Sequence, residues 1–161
     1  MAVWPSSQYI DAIERLNKFQ NVQTLGYINT DGRKTDNATA RTEIATYAGW
    51  SNVSQNLGLS GIYFDQTPYQ DENDVRAYPR NISTTVRQSD GFGRMPLVVH
   101  NPGRVPDKEY ITHEADITIV FEGAYAARSS RNELHSRLVP SRGTRGDYAM
   151  LVHSVPQSIG K

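Results

Sequence analysis

Residues 61–70 read GIYFDQTPYQ, an apolar and aromatic run, Ile62-Tyr63-Phe64, that stops at an acid and an amide, Asp65 and Gln66, before a loop bearing Pro68. The run is short, bounded by turn residues and rich in side chains that fill a buried pleated surface, so it reads as a strand. Its end sets two polar groups where a buried strand meets solvent, the edge at which α/β enzymes keep their chemistry. Four other stretches have the same character: TLGYINT (24–30), MPLVVHNPG (95–103), ADITIVFEG (115–123) and DYAMLVHSV (147–155).

Between these runs the apolar residues recur at helical spacing. Tyr9, Ile10, Ile13 and Leu16 form one stripe. Ile44, Tyr47 and Trp50 form a second, continued by Val53 and Leu57, with Asn37 or Thr39 as its cap. Val75, Ile82 and Val86 mark a third, interrupted by Pro79, and Tyr125 to Leu138 supplies a fourth. Strands separated by helices predict parallel pairing with helical crossovers. A closed eight-stranded barrel takes roughly 250 residues, whereas this chain has 161 and offers five strands. The expectation is one α/β domain over 1–161, either an open five-stranded layer or an incomplete barrel.

Composition removes several function classes. Lys plus Arg and Asp plus Glu are both 17, so no net field draws nucleic acid or an anionic membrane. Cysteine is absent, which excludes disulfides and thiolate metal sites. No apolar stretch approaches the ~18–20 residues of a membrane helix, and the first residues lack the basic-then-apolar pattern of a signal peptide. Sequons at Asn37, Asn52 and Asn81 point weakly to secretion. His100, His113, His135 and His153 show no metal-binding spacing. His100 and His153 fall in predicted strands and read as partly buried, hydrogen-bonded histidines. Arg128, Arg131, Arg137, Arg142 and Arg145 read as a solvated face, and no cofactor motif is present.

Strand alternation puts Asp65 on the face of Tyr63 and Gln66 on the face of Phe64 and Ile62. In ADITIVFEG, Ile117, Ile119 and Phe121 read as the helix-covered set, so Glu122 points inward with Thr118 and Val120. Asp65 and Glu122 then stand on alternate strands at one edge, pointing into one cleft, with the strand ending at Asn101 between them. Asn29 ends the first strand, and Tyr27, Tyr63 and Tyr69 surround the rim. Acids and amides bond hydroxyls and aromatic faces stack on sugar rings, so the rim suits a carbohydrate, and paired acids are the tools of glycosidic cleavage. An acid at a strand end is also, more plainly, a helix cap or loop anchor.

GYINTDGR, the helix with Tyr47 and Trp50, GIYFDQTP, VVHNPGRVPD, ADITIVFEGAY and MLVHSVP occur in the order of the spherulation-specific (spherulin-4-like) family, which this chain resembles from Leu25 to Pro156. The resemblance implies an incomplete (β/α)8, TIM-barrel-like fold and an endo-α-1,4-galactosaminidase activity on galactosamine-containing exopolysaccharide, at a fungal cell surface or outside the cell. It implies Asp65 and Glu122 as catalytic carboxylates, with Gln66, Asn29, Tyr27, Asn101 and Tyr69 lining the sugar site. Gln66 stands where the family has a Glu beside the first acid. If that Glu is a general acid or base, the amide lowers activity by ~10²–10⁴-fold, and Gln66→Glu restores it. The competing expectation is a carbohydrate-binding relic or truncated gene product. A barrel short of strands also leaves sheet edges that invite self-association.

Overall fold

The computed structural model describes residues 4–70, 77–107, 114–128, 131–138 and 144–159. Helix α1 (Ser7–Leu16) precedes strand β1 (Leu25–Asn29), and α2 (Asn37–Ala48) and α3 (Trp50–Val53) lead to β2 (Gly61–Asp65). Helix α4 (Ala77–Arg87) leads to β3 (Leu97–Asn101); β4 (Ile117–Ala124), α5 (Arg131–Leu138) and β5 (Tyr148–His153) follow. The strands form one sheet in the order β1-β2-β3-β4-β5, every pair parallel.

That order decides between the two expected architectures. A doubly wound sheet reverses its strand order at a switch point and carries helices on both faces. Here the order never reverses. Register rows also identify the face the helices cover. Ile28, Phe64, His100, Thr118 and Tyr148 are partners along one row. Ile28 and Phe64 sit in a core with Ile44 of α2 and Ile82 and Val86 of α4, while Tyr148 packs with Leu138 of α5 in a smaller cluster around Val105 and Val120. Helices on one face of a monotonic parallel sheet make an arc of a (β/α)8 barrel. The opposite face is the barrel's interior.

Local chemistry explains the element boundaries and corrects several expectations. The cap of α2 is Asp36, whose carboxylate accepts the Thr39 N–H at 2.7 Å, rather than Asn37 or Thr39. Thr39 is the third helical residue, the donor an N-cap side chain reaches. The second apolar stripe is not one helix: it breaks at Gly49, and Val53 is exposed although Ile44, Trp50 and Leu57 are buried. In α1, Ile13 is buried while Tyr9 and Leu16 are exposed. Pro79 does not interrupt α4, which runs through it from Ala77 to Arg87. The segment from Tyr125 opens as a 3₁₀ turn, Tyr125–Ala127, and α5 follows. Val75, His113 and Arg142 lie outside the described residues. Among the described residues no helix is long and apolar enough to cross a membrane.

His100 is buried on the helix-covered face, where its Nε2 lies 3.0 Å from the Ser83 hydroxyl and its ring meets Phe64 edge-on. His153, by contrast, is exposed, with its Nδ1 2.9 Å from the neighbouring Ser154 hydroxyl. Burial, then the Arg87 and Asp116 charges acting in opposite senses, lowers the His100 pKa from 6.5 to about 4. The unfolded chain therefore binds a proton below pH 6.5 that the native state refuses until about pH 4. Stability is fully present above 6.5 and drains away as pH falls through that window. The loss is expected to be on the order of 3 kcal/mol; chemical denaturation across pH 4–7 measures it, and His100→Gln should flatten that part of the profile.

Gly61 opens β2 against the β3 backbone: a Cβ there would lie 1.9 Å from the Leu97 carbonyl oxygen. Gly61→Ala must push the two strands apart at their first paired residues, and a loss exceeding about 3 kcal/mol is expected in a thermal or urea melt.

Candidate active site

The inner face is polar at one edge because three consecutive strands end in register. Asn29, Asp65 and Asn101 are Cα partners along one row, and Tyr27, Tyr63, Val99 and Ile117 form the row beneath. Asp65 is well anchored. Its Oδ2 accepts the Tyr27 hydroxyl at 2.6 Å, and its Oδ1 accepts the Gln66 N–H at 2.9 Å and Asn101 Nδ2 at 2.7 Å.

Glu122 reaches this face by a route that strict alternation misses. Ile117 is the partner of Val99, so it and Ile119 point inward and Thr118 points outward. Continued alternation would turn Glu122 outward too. A β-bulge intervenes: Ile119 pairs with Ala149 and Phe121 with the very next residue, Met150, leaving Val120 unpaired. One extra residue in a strand reverses which side chains face which way beyond it. Glu122 is thereby swung to the face of Asp65. Both acids thus reach one face and share Asn101, but Ile117 and Ile119 are not on the helix-covered side as the alternation reading had them.

The turn after β3 holds the bulge in place. The Asn101 Oδ1 accepts the Gly103 N–H at 2.9 Å, an Asx turn. Gly103 has φ of 68°, the left-handed region that glycine enters without a Cβ penalty. Its carbonyl accepts the Glu122 N–H at 3.1 Å, and Arg104 bridges to Phe121 antiparallel. Asn101 itself is 2% exposed, and its Nδ2 donates to Glu122 Oε2 at 2.5 Å as well as to Asp65. Both N–H groups and the oxygen of the buried amide are engaged. Both carboxylates bond one nitrogen, so the bonded oxygens can be no further apart than those two short bonds together, closer than the ~6.5–9.5 Å of inverting glycosidases.

Two tyrosines wall the pair. Tyr27 and Tyr63 stack with centroids 6.1 Å apart and ring planes 14° from parallel. The Tyr27 phenol is pushed up to about 12 by its hydrogen bond to Asp65, then by burial and the charges of Asp65 and Glu122. Tyr63 is pushed up to about 12 chiefly by burial, then by the same two charges. Both rings stay neutral, and the Tyr27 hydroxyl stays a donor.

The remaining expected site residues lie elsewhere on the edge. Asn29 ends its strand in the Asp65 row, but its Oδ1 accepts the Asp31 N–H at 2.8 Å and so anchors the loop after β1. Gln66 and Tyr69 line a cleft of about 470 Å³ together with Pro102 and Arg104. The residues that sequence reasoning passed over are Arg104, whose guanidinium lies 4.4 Å from the Tyr69 ring centroid, and Thr30 and Thr67, which tie the strand ends together. Thr30 N–H donates to the Asp65 carbonyl at 2.9 Å and its hydroxyl to the Gln66 carbonyl at 2.8 Å; Thr67 N–H donates to the Asn101 carbonyl at 3.0 Å. Arg104 follows directly on Asn-Pro-Gly, and its place in a turn at the polar edge was the signal available. Among the described residues no group of three His, Cys, Asp or Glu could hold a metal ion.

No curated protein matches the chain significantly. Among solved structures, the crystal structure of Aspergillus clavatus Sph3 in complex with GalNAc is similar, with 37% sequence identity and a TM-score of 0.85 over 96% of this chain. The match spans 62% of the Sph3 chain, less than two thirds of its length. The family model for spherulation-specific family 4 matches residues 1–161. With bulge, turn and acid pair lying within that match, this chain belongs to spherulation-specific family 4.

Proposed function

We propose that the chain carries the catalytic edge of a glycoside hydrolase that cleaves α-1,4-linked galactosamine-containing polysaccharide through Asp65 and Glu122. The observation that carries the reading is the single Asn101 nitrogen bonded to both carboxylates, a close pairing that suits the retaining mechanism better than the inverting one. Sph3, to which the chain is similar, is in complex with GalNAc, and that supports an amino-sugar ligand here. The tyrosine wall supports it too, since an aromatic face packs against the C–H face of a pyranose.

The hydrogen bonds suggest how the two acids divide the work. Asp65 accepts three, from Tyr27, Gln66 N–H and Asn101, so both its oxygens are engaged as an anion's acceptors. It is the group to attack, or to stabilise, the positive anomeric carbon. Glu122 is exposed, and Asn101 bonds only its Oε2. Its other oxygen is the one to deliver a proton to the leaving oxygen and later to take one from water. Tyr27 and Asn101 orient the nucleophile and keep its lone pairs aimed.

Asp65→Asn and Glu122→Gln should each lower reducing-end release from the polymer by ~10²–10⁴-fold. Proton NMR of the first product from wild type should show the α anomer. A β anomer appearing first would sink the spacing argument, and polymer binding without turnover in wild type would favour the carbohydrate-binding relic.

Asn101→Asp should set a third carboxylate against the other two. The fold is expected to lose about 1–3 kcal/mol at pH 7 relative to wild type, and less near pH 4, where protonation relieves the repulsion. A variant equally stable relative to wild type at both values would contradict the bridging role.

A further inference from the structure

The imidazole at the end of β5 has no part in the acid pair, yet it stands on the same face. Tyr148 is the partner of Thr118 on the helix-covered side, so alternation turns Ala149, Leu151 and His153 to the interior. The register past the bulge agrees: Glu122 is the Cα partner of Leu151, and Ala124 of His153. His153 is therefore one strand beyond Glu122 and two residues nearer the catalytic edge than the partner of Glu122. Strand spacing and rise put roughly 8 Å between the Glu122 and His153 Cα atoms. The ring is exposed and engages one nitrogen, Nδ1, with the Ser154 hydroxyl at 2.9 Å. Its Nε2 has no hydrogen-bond partner among the described residues. Ser154 has φ of 53°, so β5 ends as β2 does, where Gln66 after Asp65 has φ of 52°. Such left-handed non-glycine residues are uncommon and cluster at ligand sites.

We infer that His153 binds the departing sugar unit, its free Nε2 bonding a hydroxyl next to the leaving oxygen. The inference rests on the glycosidase reading of Asp65 and Glu122. In that reaction the Asp65 carboxylate bonds the anomeric carbon as the glycosidic C–O bond breaks, and Glu122 gives its proton to the leaving oxygen. In-line attack puts that oxygen on the side of the anomeric carbon away from Asp65. Along the sheet the order is Asp65 on β2, Glu122 on β4 and His153 on β5, so the departing unit extends past Glu122 towards His153. A neutral imidazole has one donor and one acceptor nitrogen, and either tautomer leaves Nε2 able to bond a hydroxyl. Leu151, on the same face and 40% exposed, adds an apolar surface for the C–H side of that unit.

A retaining enzyme separates this role from a general one. The departing unit takes part in forming the glycosyl-enzyme and in transfer to a sugar acceptor, but not in the attack of water. His153→Ala should lower kcat/KM for the polymer by about three- to tenfold, the scale of one lost hydrogen bond. A nitrophenyl glycoside of a galactosamine oligosaccharide has no sugar on the departing side and should be cleaved at the wild-type rate. The share of products formed by transfer to added galactosamine disaccharide should fall. His153→Gln keeps a donor and an acceptor and should recover part of both losses. Equal losses on polymer and nitrophenyl glycoside, or no loss on either, would overturn the inference. Binding is read separately: galactosamine disaccharide added to wild type should shift the imidazole proton–carbon NMR signal that is missing from His153→Ala. If wild type cleaves neither substrate while that signal shifts and His153→Ala binds more weakly, the hydrolase reading fails and the contact stands. An unmoved signal in a wild type that cleaves the polymer would overturn the contact alone; no cleavage and no binding would end both.

Discussion

One buried side-chain amide holds the functional edge together. Asn101 sits at the end of the middle strand and spends every polar atom on a different neighbour: its oxygen on the turn that follows, its nitrogen on a carboxylate from the strand to each side. An amide can do this because it carries an acceptor and two donors on one rigid plane. An acid in its place would repel both neighbours, and an aliphatic would take one hydrogen bond away from each of three groups. The turn it stabilises in turn pairs with β4 at the bulge, so Asn101 governs both where Glu122 points and what it meets there.

The sheet's two faces have separate duties. The helix-covered face carries Ile28, Ile62, Phe64 and Val98, none of them solvent-accessible, and their burial helps to offset the chain's lost entropy. Polar pairs on that side include His100 with Ser83, and Arg87 with the Glu114 carbonyl and the Asp116 carboxylate. Asp116 also accepts the Val98 N–H at 2.7 Å, tying the start of β4 to β3. Because packing on that side fixes the strands' register, the other side can carry acids and half-exposed tyrosines that contribute little to stability.

The edge residues then act as a unit in which structural and chemical roles overlap. Thr30 and Thr67 continue the hydrogen bonding past the strand ends and limit how far the loops move relative to the acids. The left-handed residues Asp31, Arg33 and Gln66 occur where those loops reverse. A carboxylate with three fixed donors is preorganised for the charge that develops beside it, which is worth more than a flexible contact of the same kind.

Much of this was legible in the chain itself. Five short β-rich runs alternating with amphipathic segments specify a parallel sheet with helical crossovers, because apolar period and run length reflect burial directly. The two acids, the amides and the tyrosines at strand ends are likewise visible, since strand termini are marked by turn residues. Three things needed the tertiary structure. The choice of a barrel arc over a layered sheet depends on strand order and on which face the helices cover, neither of which is a local property. The facing of Glu122 depends on a one-residue bulge stabilised by a turn that joins it from fifteen or more residues earlier, and parity counting along β4 has no access to that contact. The left-handed backbone at residue 66 is held by Thr30 and Gly32 of another loop, a contact that the local sequence around GIYFDQ does not reveal.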